Sequence, residues 1–140
     1  MTRQPPYIVV IDDDADFLDL NTRMLERAGY RVSGFSMPDG AMQAMQQDVP
    51  DLIITDLMME RLDSGFAFAQ AVKEDPRLQR VPVIVITAMT SQRGYDFRPR
   101  NEDDLAAMNA AAFFEKPVDY ARLTATVDQI LKKRGTSNDE

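Results

Sequence analysis

No cysteine and no histidine occur in this chain of 140 residues. The first absence excludes disulfides, a thiolate nucleophile and a cysteine-based zinc site. The second removes serine-histidine triads, imidazole bases and histidine metal ligands together. Basic charge is scarce as well. Lysine and arginine number 16 against 23 aspartates and glutamates, a net charge of −7, and no basic cluster is there to neutralise nucleic-acid phosphates. Lys132-Lys133-Arg134 suits instead a helix C-terminus, where the macrodipole favours cations. No apolar run approaches the roughly 20 residues that span a bilayer, and the N-terminus has no secretory apolar core. The expectation is a cytoplasmic protein with no membrane and no direct nucleic-acid partner. A Gly-x-x-x-x-Gly-Lys-Ser/Thr loop is also missing, which excludes that mode of nucleotide binding. Chemistry must therefore come from carboxylates, hydroxyls, lysine and a hard metal held through oxygen.

What is present is an alternation of two patterns, in a length that suits one domain. Tyr7-Ile8-Val9-Val10-Ile11 is apolar at every position, as in a parallel strand covered on both faces. It ends on Asp12-Asp13-Asp14. Phe17, Leu20, Asn21, Met24 and Ala28 then recur at helical spacing, with Asp14 placed as N-cap and Gly29 ending the helix. A short strand follows over Arg31 to Phe35. Ser36 with Asp39 resembles a capping box, opening a helix with Ala41, Ala44 and Met45 on one face. Leu52 to Thr55 is a third strand and delivers Asp56. Asp63-Ser64-Gly65 turns into a helix carrying Phe66, Ala69 and Val72, which stops near Asp75-Pro76. Val83 to Ile86 is a fourth strand, ending on Thr87. After a long polar connection, Ser91 to Arg100, a helix is expected from about Glu102 to Met108. Ala112-Phe113-Phe114 is the fifth strand, before Lys116-Pro117. The last helix shows Tyr120, Leu123, Val127, Ile130 and Leu131 on one face. Residues 1–6 read as a flexible arm, 7–134 as the domain and 135–140 as a disordered tail.

Five strand-then-helix units imply an α/β fold: a doubly wound five-stranded parallel sheet with helices on both faces. In such sheets the functional crevice lies at the carboxyl ends of the strands. That rule gathers Asp12, Asp13, Asp56, Thr87 and Lys116. Singly, each reads as a cap, a turn residue or a surface lysine. Together, three carboxylates from two strands suit magnesium, which takes oxygen ligands and keeps several waters. A lysine and a hydroxyl beside them suit the oxygens of a transferring phosphoryl group. An aspartate can act as nucleophile and form an acyl phosphate.

Four stretches then carry a family resemblance over nearly the whole chain: Val10-Ile11-Asp12-Asp13-Asp14, Pro50 to Met59, Pro82 to Ala88, and Phe113-Phe114-Glu115-Lys116-Pro117. In this order they resemble the receiver domain of two-component response regulators, a flavodoxin-like fold, either standing alone in the manner of chemotaxis regulators or as the receiver of a larger regulator or hybrid kinase. The resemblance implies that Asp56 is the phosphoacceptor and that Asp13, Asp56 and the Met58 backbone carbonyl bind Mg2+, with Asp12 acting mainly through a bound water. It implies that Thr87 hydrogen-bonds a phosphoryl oxygen, that Lys116 pairs with the phosphoryl group, and that Phe113 is the switching aromatic. The donor would be a sensor histidine kinase or a histidine phosphotransfer protein. Output would pass to a downstream protein through the face made by the helix near 102–108, the fifth strand and the last helix. Such a protein is a signalling phosphoacceptor that assists only its own phosphorylation and dephosphorylation, and not an enzyme.

Two departures stand beside the resemblance. Glu60 and Arg61 replace the proline and glycine that usually follow the paired methionines. The stretch between Thr87 and Lys116 is longer than the family pattern, and the added length falls in Ser91 to Arg100. A competing reading from another class is a receiver-fold binding module that works without phosphorylation; the complete set of Asp13, Asp56, Thr87 and Lys116 argues against it. A magnesium-dependent phosphohydrolase would place a second acid two positions after its nucleophile, where this chain has Met58.

Overall fold

The computed structural model describes residues 5–56, 64–87, 110–115 and 118–138, without the side chains of 64–67, 87 and 134–138. Its strands are β1 (Tyr7–Ile11), β2 (Arg31–Phe35), β3 (Leu52–Asp56), β4 (Val83–Thr87) and β5 (Ala112–Glu115). Its helices are α1 (Ala15–Arg27), α2 (Pro38–Gln47), α3 (Ser64–Glu74) and, last in the chain, α4 (Tyr120–Asn138). The helix expected near 102–108 lies outside the described residues. The strands form one parallel sheet in the order β2-β1-β3-β4-β5. This is the doubly wound α/β arrangement that the alternating patterns imply.

Both faces of the sheet are covered, which is why the strands carry no polar alternation. Val9, Ile11, Ile53, Val83 and Val85 pack with Ala41 and Met45 of α2 and with Phe68 and Val72 of α3. Residues of the opposite parity, Ile8, Val10, Leu52, Ile54, Ile84 and Ile86, pack with Leu25 of α1 and with Leu123 and Val127 of α4. Burying each such side chain contributes about 1.5–3 kcal/mol of transfer free energy, set against the cost of ordering the chain. The register is specified by this parity, because a one-residue slip would exchange the two layers. No helix among the described residues is long and apolar enough to cross a membrane.

The α1 boundaries follow their local chemistry. The Asp14 carboxylate accepts from the N–H groups of Asp16 and Phe17, and Gly29 takes φ of +102° just past the end. Across from α1, a Cβ placed on Gly34 would lie 3.1 Å from Leu18 Cδ1 and 3.4 Å from Thr22 Oγ1. The absence of a side chain at Gly34 is thus what lets α1 sit this close to β2.

One expectation needs correction. The second helix does not begin with a capping box at Ser36: its N-cap is Met37, with no side-chain cap bond, and Pro38 occupies the first helical turn. Proline at the first helical position lacks an N–H that would have no partner within the helix, and its fixed φ is already helical, so it sets the start. The last helix runs through Gly135 to Asn138. A glycine costs about 1 kcal/mol relative to alanine in a helix but introduces no clash. At the other end, the Pro6 carbonyl accepts from Arg31 N at 2.9 Å.

Candidate functional site

The sheet changes direction of growth at β1, with β2 on one side and β3 on the other. A crevice is expected at that junction, above the carboxyl ends of the strands. Ile11 is the last residue of β1 and pairs with Thr55 of β3. Asp12 and Asp13 therefore leave β1 beside the place where Asp56 closes β3. The residue after each apolar run arrives at the same height because the two ladders are in register.

Asp12 continues the ladder by one step, its N–H donating to the Phe35 carbonyl at 3.0 Å. One of its carboxylate oxygens accepts from Asp14 N at 2.8 Å, which turns the side chain back into the β1–α1 corner. Asp12 and Asp56 are buried, at 1% and 4% exposure, whereas Asp13 is exposed. One carboxylate oxygen from each of Asp12, Asp13 and Asp56 lies within 4.8 Å of the other two. Two unit charges at that distance repel by about 3 kcal/mol at an effective dielectric of 20. Such a grouping is suited to a cation. The donors are all oxygen, two are held in place by burial, and the exposed third leaves room for water, which fits magnesium and not zinc.

The remaining predicted residues divide. Thr87 closes β4, one position past the Ile86 that pairs with Asp56, so its backbone lies at the rim of the same crevice. The Thr87 side chain lies outside the described residues, as do Met58 and Lys116 altogether. Phe113 lies in β5, half-buried, and packs against the cluster under α2 and α3.

One polar side chain next to the site was not singled out by sequence reasoning. Thr55 is fully buried, and its hydroxyl donates to the main-chain carbonyl of Asp56 at 3.1 Å. A cavity of about 480 Å³ exists elsewhere, lined by Ala69, Val72, Lys73, Val81, Pro82 and Ala110 among others. It lies at the amino ends of β4 and β5, the opposite end of the sheet from the carboxylates. Its charged lining residues are Lys73 and Arg80, with no carboxylate among them, so it offers no nucleophile or metal-ligating group of the kind found at the other end.

Residues 8–128 match the family described as the response regulator receiver domain. The chain is 33% identical over 127 residues, 91% of its length, to the phosphoglycerate transport system transcriptional regulatory protein PgtA of Salmonella typhimurium. It is 30% identical over 139 residues, 97% of its length, to the response regulator Rre1 of Synechocystis. It spans 28% of the first of these relatives and 56% of the second. Among solved structures, the signal receiver domain of a signal transduction histidine kinase from Syntrophus aciditrophicus superposes with a TM-score of 0.75 at 26% identity, covering 91% of both chains. The chemotaxis response regulator CheY4 of Vibrio cholerae is alike in fold, with a TM-score of 0.75 at 23% identity, covering 90% of this chain and 98% of that one.

Proposed function

This chain belongs to the response regulator receiver domains, the phosphoacceptor modules of two-component signalling, and from that premise we propose that Asp56 takes up the phosphoryl group. The observation that carries the proposal is the meeting of the Asp12, Asp13 and Asp56 carboxylates at the carboxyl ends of two adjacent strands. The donor is a phosphohistidine on a sensor kinase or a phosphotransfer protein. A carboxylate oxygen of Asp56 attacks phosphorus in line, the oxygen–phosphorus bond forms, and the bond from phosphorus to the donor imidazole nitrogen breaks. Asp12, Asp13, Asp56 and the Met58 carbonyl would hold Mg2+, which when bound supplies positive charge against the phosphoryl oxygens.

Burial of Asp56 serves this chemistry twice. It holds the nucleophile in one orientation, and it lowers the local dielectric, so that each charge contact to the phosphoryl group is stronger than in water. In the proposed product, the Thr87 hydroxyl donates to one phosphoryl oxygen and Lys116 pairs with another. Movement of Thr87 toward the new charge opens space for Phe113, altering the surface built around β5 and α4 for a downstream protein.

Labelling with a small phosphoramidate donor in Mg2+, beside an Asp56→Asn control, tests the assignment. The wild type is expected to gain one acid-stable, base-labile phosphoryl group, and the variant none. Label that survives the substitution would place the acceptor elsewhere.

A further inference from the structure

Five residues lie side by side across the sheet, one from each strand: Phe35, Ile11, Thr55, Val85 and Phe113. Four are apolar, and the row packs under α2 and α3. Thr55 is the polar exception, at the centre of the row and fully buried. Valine has the same branched outline, at least equal preference for a strand, and no hydroxyl to desolvate. A buried hydroxyl at such a position asks for a partner, and the partner is the Asp56 main-chain carbonyl, 3.1 Å away.

That carbonyl belongs to the peptide by which the chain leaves the sheet, since Asp56 is the last residue of β3. The direction in which the Asp56 Cα–Cβ bond leaves the backbone, from which its side-chain rotamer starts, is set by the two peptide planes on either side of its Cα. The plane before it is fixed by the β3 ladders to β1 and β4. The plane after it is the one held by Thr55. We infer that Thr55 is a positioning residue, its hydroxyl holding the Asp56 carbonyl so that the carboxylate stays aimed at Asp12 and Asp13.

This inference rests on the phosphoacceptor reading and is separable from it. Thr55→Val removes the hydroxyl and keeps the volume; Thr55→Ser keeps the hydroxyl and removes a methyl group. Three measurements are made on the full chain: Mg2+ affinity by calorimetry, the rate of labelling by a phosphoramidate, and metal-free thermal unfolding. With Thr55→Val, the Mg2+ dissociation constant is expected to rise and the labelling rate to fall, each by about threefold to tenfold, the share of one hydrogen bond. The melting temperature stays level or rises. Thr55→Ser restores affinity and rate toward wild type even though it melts earlier, which a purely structural role would not produce. Wild-type affinity and rate in Thr55→Val would overturn the inference, as would a serine variant no better than valine. A wild-type chain that takes no label takes down the phosphoacceptor reading, and the role of Thr55 with it.

Discussion

Asn21 sits fully buried on the inner side of α1, one turn from Leu25, and neither of its amide atoms has a hydrogen-bond partner among the described residues. Burying such an amide costs about 1–3 kcal/mol on mutational scales, and leucine has the same branched outline. Asn21→Leu is expected to raise the free energy of unfolding by about that amount, read as a higher urea midpoint with an unchanged slope. A midpoint that stays put or falls would mean that water or another group serves the amide. The helical spacing of Phe17, Asn21 and Met24 already placed Asn21 on the inner face of its helix, but spacing says nothing about partners. Thr55 was hidden for the opposite reason. In a run such as Leu52-Ile53-Ile54-Thr55 a threonine scores as one more β-branched residue, and only the geometry shows what its hydroxyl touches. Asp12 and Asp56 were legible because a carboxylate that ends an apolar strand breaks the pattern of that strand.

Between elements, the best-defined polar link joins α2 to the turn after α3. Gln46 Nε2 donates to Asp75 Oδ2 at 3.0 Å, and Arg77 N donates to Asp75 Oδ1 at 2.8 Å. The Arg77 backbone N–H and then the Gln46 amide hold the Asp75 carboxyl below its ordinary value of 3.8. A carboxyl with a lower pKa in the folded state adds stability that is complete above the unfolded value and is lost as pH falls through the folded one. Acid titration of stability should therefore show wild type losing more than Asp75→Asn below about pH 4. Parallel curves would show that the link does not favour the ionised form. The sequence marked this turn through Asp75-Pro76 but not its tie to Gln46, which lies 29 residues earlier. Contacts of that separation depend on how two helices pack, and periodicity carries no record of them. The start of α2 was misplaced because two local signals competed, Ser36 as a cap and Pro38 as a first residue, and the backbone geometry of proline prevailed.

For the molecule as a whole, the acidic excess and the three clustered carboxylates predict a protein whose stability depends on divalent cations. Mg2+ at a hundredfold excess over its dissociation constant should raise the unfolding free energy by about 2.7 kcal/mol, with reversal by chelator. Asp13→Asn should shrink that gain while stabilising the metal-free protein, because it removes one member of the repelling trio. Equal metal-free stability of variant and wild type would show that the repulsion is relieved in some other way. At this scale the fold was the most legible property, since the number of strands and the covering of both sheet faces followed from apolar runs such as Val83 to Ile86. The strand order has a further consequence, in time. β1 is made first, and every later strand adds to an edge already present: β2 on one side, then β3, β4 and β5 in succession on the other. Asp12, Asp13 and Asp56 therefore leave the ribosome ahead of Thr87 and Lys116. The acidic members of the site thus emerge ahead of the hydroxyl and the lysine, in the same order in which the sheet grows outward from β1.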